Sequence, residues 1–387
     1  AAMKDGLLLI LQQMVQNVDT HIADINPVSD EQYKCLLMDF NHVNSSYRND
    51  KNVTELFEQQ VIKTPDANAV VYEGQALSYS ELNQQANRLA NYLLAAGVSP
   101  DNPVVVLMER TANLIIAQLA ILKAGAAYVA IDPDYPTQRL TFILEDTQSP
   151  VLLTQYSLSG RVNDYQGLLI CLDTDSRILA GLSTQTPIVE VTTHNLAYII
   201  YTSGSTGTPK GVEVEHGGLL NLVRWHHHAY EVNPADRATH LAGLGFDASV
   251  WELWPYLTSG ASIYLVSDEF RHSPASLWSW MAAQGITLSF LPTPLAEAVL
   301  REPIPDDLKL RVLLTGGDRL HGGLVSKKVP FRVVNHYGPT ENSVVATCCE
   351  VDVCSEEYPP IGSPIDNVQT YILDQYQHPV PIGVSGE

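Results

Sequence analysis

The sequence AYIIYTSGSTGTPKG, at residues 197–211, decides how the rest of the chain is interpreted. Its first part is a continuous apolar run, which is typical of a strand buried in a parallel sheet. Its second part combines glycines, hydroxyl side chains and one cation, Lys210. Glycines let a backbone approach a ligand closely, and hydroxyls and a cation donate to phosphate oxygens. The pattern predicts a buried strand that leads into a loop able to hold a polyphosphate.

This loop is not a Walker loop. That motif needs Gly-Lys-Ser/Thr followed at once by a helix, whereas here Pro209 precedes Lys210. An ordinary flexible Ser/Gly loop is the alternative interpretation of a short run of this kind. The fixed order of hydroxyl, glycine and lysine over residues 201–211 favours phosphate binding.

Strands and helices alternate on both sides of the loop, which predicts an α/β fold. Helical patterns cover 80–96, 112–123, 136–145, 219–228, 274–283 and 294–301. Apolar strand patterns cover 104–108, 127–131, 151–154, 197–201, 262–266, 287–291 and 312–314. Ser80 is the predicted cap of the first of these helices. Such alternation predicts parallel or mixed sheets covered by helices on both faces, and residues 369–377 predict a terminal β-hairpin.

Composition excludes several classes of protein. Lys and Arg number 22 and Asp and Glu number 43, so the net charge of −21 disfavours binding to nucleic acid. No apolar run is long enough to span a membrane, and the start of the chain does not resemble a secretory signal. The five cysteines are odd in number and widely spread, which favours a cytoplasmic protein over a disulfide scaffold.

Five further motifs accompany the loop in a fixed order. They are LSYSELNQQANRLA (77–90), LKAGAAYVAIDPDYPTQRL (122–140), FDASVWEL (246–253), NHYGPTEN (335–342) and PIGVSGE (381–387). Together with YTSGSTGTPKG, they resemble the core motifs of amino-acid adenylation domains of nonribosomal peptide synthetases, in the adenylate-forming superfamily. The resemblance implies a large α/β core with a smaller β-rich subdomain.

The resemblance also implies a domain organisation. Residues 1–50 resemble the end of a condensation domain with its linker, and residues 51–387 resemble the adenylation core. The small C-terminal lid of the family, with its catalytic lysine, has no counterpart in this sequence. Lys210 is therefore not that lysine.

The resemblance implies an ATP and magnesium site. Thr202, Lys210, Thr340 and Glu341 are the expected catalytic residues, with Glu341 as the Mg²⁺ ligand. The remaining expected ATP-binding residues are Ser203, Gly204, Ser205, Thr206, Gly207, Thr208, Gly316, Gly317, Asp318, Asn335, His336, Tyr337 and Gly338. Of these, Tyr337 offers a flat face for adenine, and Asn335 an amide for its edge.

The substrate pocket is expected around Asp247, which would pair with the ammonium group of an amino acid. An N-cap role for Asp247 is the alternative from its position alone. The other pocket residues carried over are Phe246, Ala248, Trp251, Phe290, Leu314, Gly316, His336, Val344 and Val345. This mostly apolar lining disfavours charged substrate side chains and resembles pockets that select leucine. His336 departs from the leucine pattern and could donate a hydrogen bond to a polar substrate.

The expected reaction is attack of an amino-acid carboxylate on the α-phosphorus of ATP, which gives aminoacyl-AMP and pyrophosphate. The product would be loaded onto the phosphopantetheine thiol of a downstream carrier domain. An upstream condensation domain is the other expected partner, and a small accessory protein is compatible with the sequence. An acyl- or aryl-CoA ligase and a non-catalytic binding fragment are the alternatives. The run Trp225-His226-His227-His228 is interpreted as a solvated helix end and not a metal site.

Overall fold

The computed structural model describes residues 2–19, 21, 25–41, 45–47, 51–175, 180–203 and 207–387. The helices are α1 (Ala2–Gln16), α2 (Asp30–Lys34), α3 (Val53–Lys63), α4 (Tyr79–Ala95), α5 (Ala112–Lys123), α6 (Thr137–Thr147), α7 (Tyr156–Ser159), α8 (His216–Tyr230), α9 (Ala248–Trp251), α10 (Trp254–Leu257), α11 (Asp268–Arg271), α12 (Pro274–Gln284) and α13 (Thr293–Leu300). A π-helix covers Cys35–Asp39, and a 3-10 helix covers Thr340–Asn342.

The strands are β1 (Asn68–Tyr72), β2 (Gln75–Ser78), β3 (Pro103–Leu107), β4 (Ala127–Ile131), β5 (Val151–Thr154), β6 (Leu168–Cys171), β7 (Leu196–Ser203), β8 (Pro209–Glu215), β9 (Arg237–His240), β10 (Ser262–Leu265), β11 (Leu288–Pro292), β12 (Val312–Gly316), β13 (Arg332–Tyr337), β14 (Thr347–Glu350) and β15 (Ser363–Pro364). None of the described helices is both long and apolar enough to cross a membrane.

The chain divides into two compact units. The smaller unit comprises Ala1–Ser46 and Ser363–Glu387, and the larger comprises Tyr47–Gly362. In the smaller unit, Asn41 joins the two segments, because its side chain donates to the Thr370 carbonyl (3.1 Å) and accepts from the Thr370 amide (2.8 Å). The predicted hairpin over 369–377 is reduced to one antiparallel bridge between Leu373 and Pro379. Proline has no amide to continue a ladder.

The larger unit contains two mixed sheets, which confirms the predicted α/β class. One sheet includes the strand order β14-β13-β12-β11-β9-β10-β1-β2, and the other has the order β6-β5-β3-β4-β7-β8. Pairing between neighbours is parallel except for β1 with β2, β13 with β14, and β7 with β8. The parallel strands of each sheet end at a common edge, where open α/β sheets bind ligands.

Each sheet carries its own apolar core. Trp278, Leu291 and Leu313 lie in the cluster on the first sheet, and Val105, Val129 and Leu152 lie in the cluster on the second. The predicted bounds of α5, β4 and β5 are confirmed. The predicted cap of α4 is wrong by two residues. Ser78 accepts from the Glu81 amide (3.2 Å), while Glu81 accepts from the Ser78 amide (2.8 Å) in a capping box.

Candidate active site

Six of the expected ATP-binding residues line one cavity of about 380 Å³ beside the ends of β12 and β13. They are Gly317, Asp318, Asn335, His336, Tyr337 and Gly338. Tyr337 is 54% exposed, so its side chain is accessible to a flat ligand. The side-chain amide of Asn335 donates to the Pro360 carbonyl (3.0 Å), whereas its Oδ1 is buried and has no partner among the described residues. That oxygen is suited to accept from an amino group such as the one on adenine.

The glycine-rich loop joins β7 and β8, which form an antiparallel hairpin. Thr202 pairs with Lys210 and Ser203 pairs with Pro209, so the loop is closed by these two rungs. Ser203, Gly207, Thr208 and Lys210 are exposed. Three expected phosphate-binding residues, Gly204, Ser205 and Thr206, lie outside the described residues. Strand β8 contacts the 3-10 helix that carries Thr340 and Glu341, so the two expected catalytic pairs lie on neighbouring elements.

Arg139 also lies in this region and is not among the residues expected from the motifs. Its Nη2 donates to the carbonyl of Tyr201 (3.2 Å), directly before Thr202. Its guanidinium stacks 3.9 Å from the centroid of the Tyr135 ring. The Tyr201 hydroxyl donates to Asp146 (2.6 Å), so α6 fixes the base of the hairpin from two sides. The signal was present, since Arg139 and Tyr135 both lie in the motif at 122–140.

The strand register brings the expected pocket residues together. Phe290 pairs with Leu314, and two residues further along, Gly316 pairs with His336. In parallel sheets, paired residues point to one face, and so do residues two apart along a strand. The Trp251 ring lies 5.4 Å from Phe290 and 4.8 Å from His336, between ring centroids. An aromatic and aliphatic wall therefore forms at the ends of β11, β12 and β13.

His336 is held neutral inside this wall. Its Nδ1 lies 3.0 Å from the Thr315 carbonyl, which can only accept, so Nδ1 carries the proton. Its Nε2 then accepts from the hydroxyl of Tyr230 (2.6 Å). Burial lowers the pKa of His336 to about 4. Both ring nitrogens are therefore engaged by the protein, which disfavours the expectation that His336 donates to a polar substrate. Tyr230 was missed because it lies far away in sequence.

The interpretation of the histidine run as a solvated helix end is also wrong for His226. This side chain is 0% exposed and accepts from Trp251 Nε1 at 2.8 Å. Its ring lies 4.8 Å from Tyr230, between ring centroids. Of the other two histidines, His227 is half-buried and His228 is exposed. His226 thus supports the back of the pocket by orienting Trp251.

Asp247 lies at the start of α9, but its side chain makes no N-cap hydrogen bond. This observation disfavours the capping alternative. Burial raises the pKa of Asp247, although hydrogen bonds from the Thr340 side chain and the Ala248 amide act in the opposite direction. An ammonium group placed against this carboxylate would lower its pKa again. Phe246, directly before it, is 65% exposed, while Ala248 is half-buried.

The remaining pocket residues lie on a strained turn. Ser343 has φ of 56° and Val344 has φ of 77°, and a β-branched residue rarely adopts a positive φ. Val344 and Val345 are 9% and 1% exposed. Gly338 permits the turn, because a Cβ there would lie 2.3 Å from the Val344 carbonyl oxygen. Such strain concentrates at functional sites.

Known proteins match this chain over nearly its whole length, including the residues described above. Residues 57–387 match the family described as AMP-binding enzyme. The chain belongs to the AMP-binding enzyme family. Linear gramicidin synthase subunits C and D of Brevibacillus parabrevis are 48% and 46% identical over 98% of this chain. Surfactin synthase subunit 2 of Bacillus subtilis is 42% identical over 98%. The chain spans only 5%, 8% and 10% of the lengths of these three relatives.

Solved structures agree with this family. A crystal structure of the nonribosomal peptide synthetase FmoA3 in an alpha-methyl-L-serine-AMP bound form gives a TM-score of 0.88 at 30% identity, over 99% of this chain and 44% of that one. An AMPPNP-bound form gives a TM-score of 0.86 at 29% identity, over 97% of this chain and 41% of that one. These matches confirm the resemblance to nonribosomal peptide synthetase adenylation domains, the fold, and the expectation of an ATP-dependent adenylating ligase.

The magnesium expected for this AMP-binding enzyme would have one protein ligand. Among the described residues, no group of three or more His, Cys, Asp or Glu side chains could hold a metal ion. Glu341 is exposed on the 3-10 helix. Mg²⁺ commonly binds through one or two carboxylates together with substrate phosphates and water, so a single carboxylate fits it.

Proposed function

We propose that this adenylation core activates leucine, or a similar medium-sized apolar amino acid. The observation that carries the proposal is the pairing of a half-buried carboxylate, Asp247, with an apolar wall whose one histidine has no free nitrogen. An ammonium group would pair with Asp247, and an uncharged side chain would contact Trp251, Phe290 and Leu314. Because the wall offers no charged partner, the side chains of arginine and glutamate would lose hydration without compensation, which disfavours them as substrates.

The residues would act mainly by positioning. Thr202, Ser203, Thr208 and Lys210 would hold the β- and γ-phosphates, as would Gly204, Ser205, Thr206 and Gly207. Thr340 donates its one hydroxyl proton to Asp247, and it would turn this proton to the α-phosphate once the substrate ammonium pairs with Asp247. Glu341 would bind Mg²⁺, which neutralises phosphate charge. The substrate carboxylate then forms a bond to the α-phosphorus as the bond to pyrophosphate breaks.

We also propose a place in a larger synthetase. Residues 1–50 would be the end of a condensation domain with its linker, and residues 51–387 the adenylation core. The thiol of a carrier-domain phosphopantetheine would attack the aminoacyl carbonyl, which forms a thioester as the acyl–phosphate bond breaks and AMP leaves. The much greater lengths of the synthetases that this chain resembles support this arrangement. A cytoplasmic location supplies ATP and fits the cysteines, of which no two are joined by a disulfide bond in the described part of the chain.

The test is amino-acid-dependent ATP–pyrophosphate exchange over all proteinogenic amino acids, with binding by calorimetry as a readout that needs no turnover. Leucine should lead, with methionine or isoleucine next. Valine and alanine should be poorer substrates than leucine, because each missing methylene costs about 1 kcal/mol. A profile led by arginine, glutamate or tyrosine would show that the pocket is misassigned.

A further inference from the structure

The segment that carries Asp247 and Trp251 is closed by a buried carboxylate outside the pocket. Glu252 directly follows α9 and is 1% exposed. Its Oε2 accepts from the amides of Leu241 (2.9 Å) and Ala242 (2.8 Å). One side chain thus ties the end of α9 back to the residues that follow β9. The residues between Ala242 and Glu252, which include Asp247, therefore form a loop whose two ends are held together.

A buried cation holds the other side of the same peptide groups. Arg110 is 9% exposed and donates through Nη2 to the carbonyls of Leu241 (3.2 Å) and Ala242 (2.5 Å). Its Nη1 donates to His240 Nδ1 (2.5 Å), at the last residue of β9. The amides of Leu241 and Ala242 therefore donate to the Glu252 carboxylate, and their carbonyls accept from the Arg110 guanidinium. Such a clamp defines the path of the backbone on leaving the strand.

The clamp is energetically costly. Burial raises the pKa of Glu252 to about 7 and lowers the pKa of Arg110 to about 10, although each charge favours the ionised form of the other. Glu252 Oε1 and Arg110 Nε are buried without a hydrogen-bond partner among the described residues. Buried opposite charges are often no more stabilising than an apolar replacement. Stability alone is therefore a poor explanation for two charges at this place.

We propose that Glu252 and Arg110 are positioning residues for amino-acid recognition, which fix Leu241 and Ala242 and thereby set the placement of Asp247 and Trp251. Neither is among the residues of the pocket. The inference rests on the proposed function, in which Asp247 binds the substrate ammonium. Small displacements of such a group are known to weaken catalysis by up to about 100-fold.

The test compares Glu252→Ala with Glu252→Gln in the exchange assay. The alanine variant should raise the KM for leucine about tenfold or more while the KM for ATP stays within about twofold. Glutamine keeps an oxygen that can accept from both amides, so it should restore most of the leucine affinity. If the alanine variant does not fold, Arg110→Lys replaces it. A rise in the leucine KM is expected, because the single ammonium of lysine lacks the fork by which Arg110 reaches both the two carbonyls (Nη2) and His240 (Nη1).

Asp236→Asn is the matched control. Asp236 is also buried and accepts from Arg311 Nη2 (2.8 Å), but it lies just before β9, at the opposite end of the strand. This variant should lower the melting temperature without changing the leucine KM. An unchanged leucine KM in Glu252→Ala, or an equal rise for leucine and ATP, would overturn the proposal. If Asp247→Ala also leaves leucine affinity unchanged, the proposed function fails as well; if Asp247→Ala weakens it, only the clamp is refuted.

Discussion

The proposed amino-acid pocket and the proposed phosphate hairpin lie in one unit but are built in opposite ways. Trp251, Leu314 and Val345 are 2%, 1% and 1% exposed, whereas Ser203 and Lys210 of the hairpin are exposed. One apolar amino acid is distinguished from another by how closely its side chain packs, which requires rigid and close-packed pocket walls. Phosphates are held by charge and by hydrogen-bond donors, which function at an open surface and allow release. Pocket variants should therefore affect stability and amino-acid selectivity together, whereas hairpin variants should affect the use of ATP and leave stability unchanged.

Trp251→Ala should give the largest effect and test the first half of this comparison. Trp251 packs on Phe290 and His336 and donates to His226, so its loss leaves a cavity and an acceptor without its donor. Truncation of a buried aromatic residue costs about 3–5 kcal/mol of unfolding free energy. Urea unfolding measures the loss. A variant with wild-type stability would show that the wall is not close-packed.

Asp247→Ala should be the next largest and should separate the two substrates. Removal of one partner of a buried charge pair costs about 2–5 kcal/mol, which would appear in the affinity for leucine. ATP affinity should change little, since the phosphate hairpin is untouched. Calorimetry with each ligand measures both. Glu215→Ala, which removes an exposed carboxylate near His194, is the control and should change neither affinity.

Acid should weaken the folded state partly through the pocket. Burial lowers the pKa of His336 and of His216 to about 4, so between about pH 6.5 and 4 the unfolded chain binds more protons than the folded one. The unfolding free energy should therefore decrease as the pH is lowered from about 6.5 to 4, by up to about 3 kcal/mol per histidine. Glu252 acts in the opposite direction, because burial raises its pKa to about 7.

His336→Asn checks the assignment of this pH dependence. Urea unfolding at several pH values should give a shallower slope below pH 6.5 for the variant than for the wild type. An identical slope in both proteins would mean that His336 already titrates normally in the folded state. Variants of the hairpin should leave the slope as it is.

Lys210→Ala should have the smallest effect on the protein and a selective effect on ATP. Lys210 is exposed, so unfolding free energy should stay within about 0.5 kcal/mol. A hydrogen bond to a charged group is worth about 1.5–3 kcal/mol, so the KM for ATP should rise while leucine affinity is retained. Exchange kinetics with each substrate varied separately measure this. A loss of leucine affinity equal to that of ATP would break the separation of the two regions.

Much of the fold could be predicted because its signals are local. The bounds of α5, β4 and β5 follow from apolar runs closed by Gly125 and by turn residues. The cap of α4 could not be decided by the same means, since two serines two residues apart both suit the position. Glu81, three residues after Ser78, was the signal that distinguishes them.

The residues that hold the site in place were harder to predict from the sequence, because they act through contacts between distant parts of the chain. Tyr230 and His336 are 106 residues apart, and Arg110 lies 130 residues from His240. His226 is polar by type, so a pattern of hydrophobic residues cannot reveal that it is buried beneath Trp251. The motifs name the residues expected to face the substrates, and the structure adds the side chains that hold those residues in place.

In the proposed function, Asp247 binds the ammonium group of the substrate and the apolar wall selects its side chain. Binding of leucine and of 4-methylpentanoate, which is leucine without its amino group, tests it most directly. The wild type should bind leucine at least about 30-fold more tightly, in line with about 2 kcal/mol for the charge pair, and Asp247→Ala should abolish most of that difference. Equal binding of the two acids by the wild type would contradict the account and favour a ligase for simple carboxylic acids.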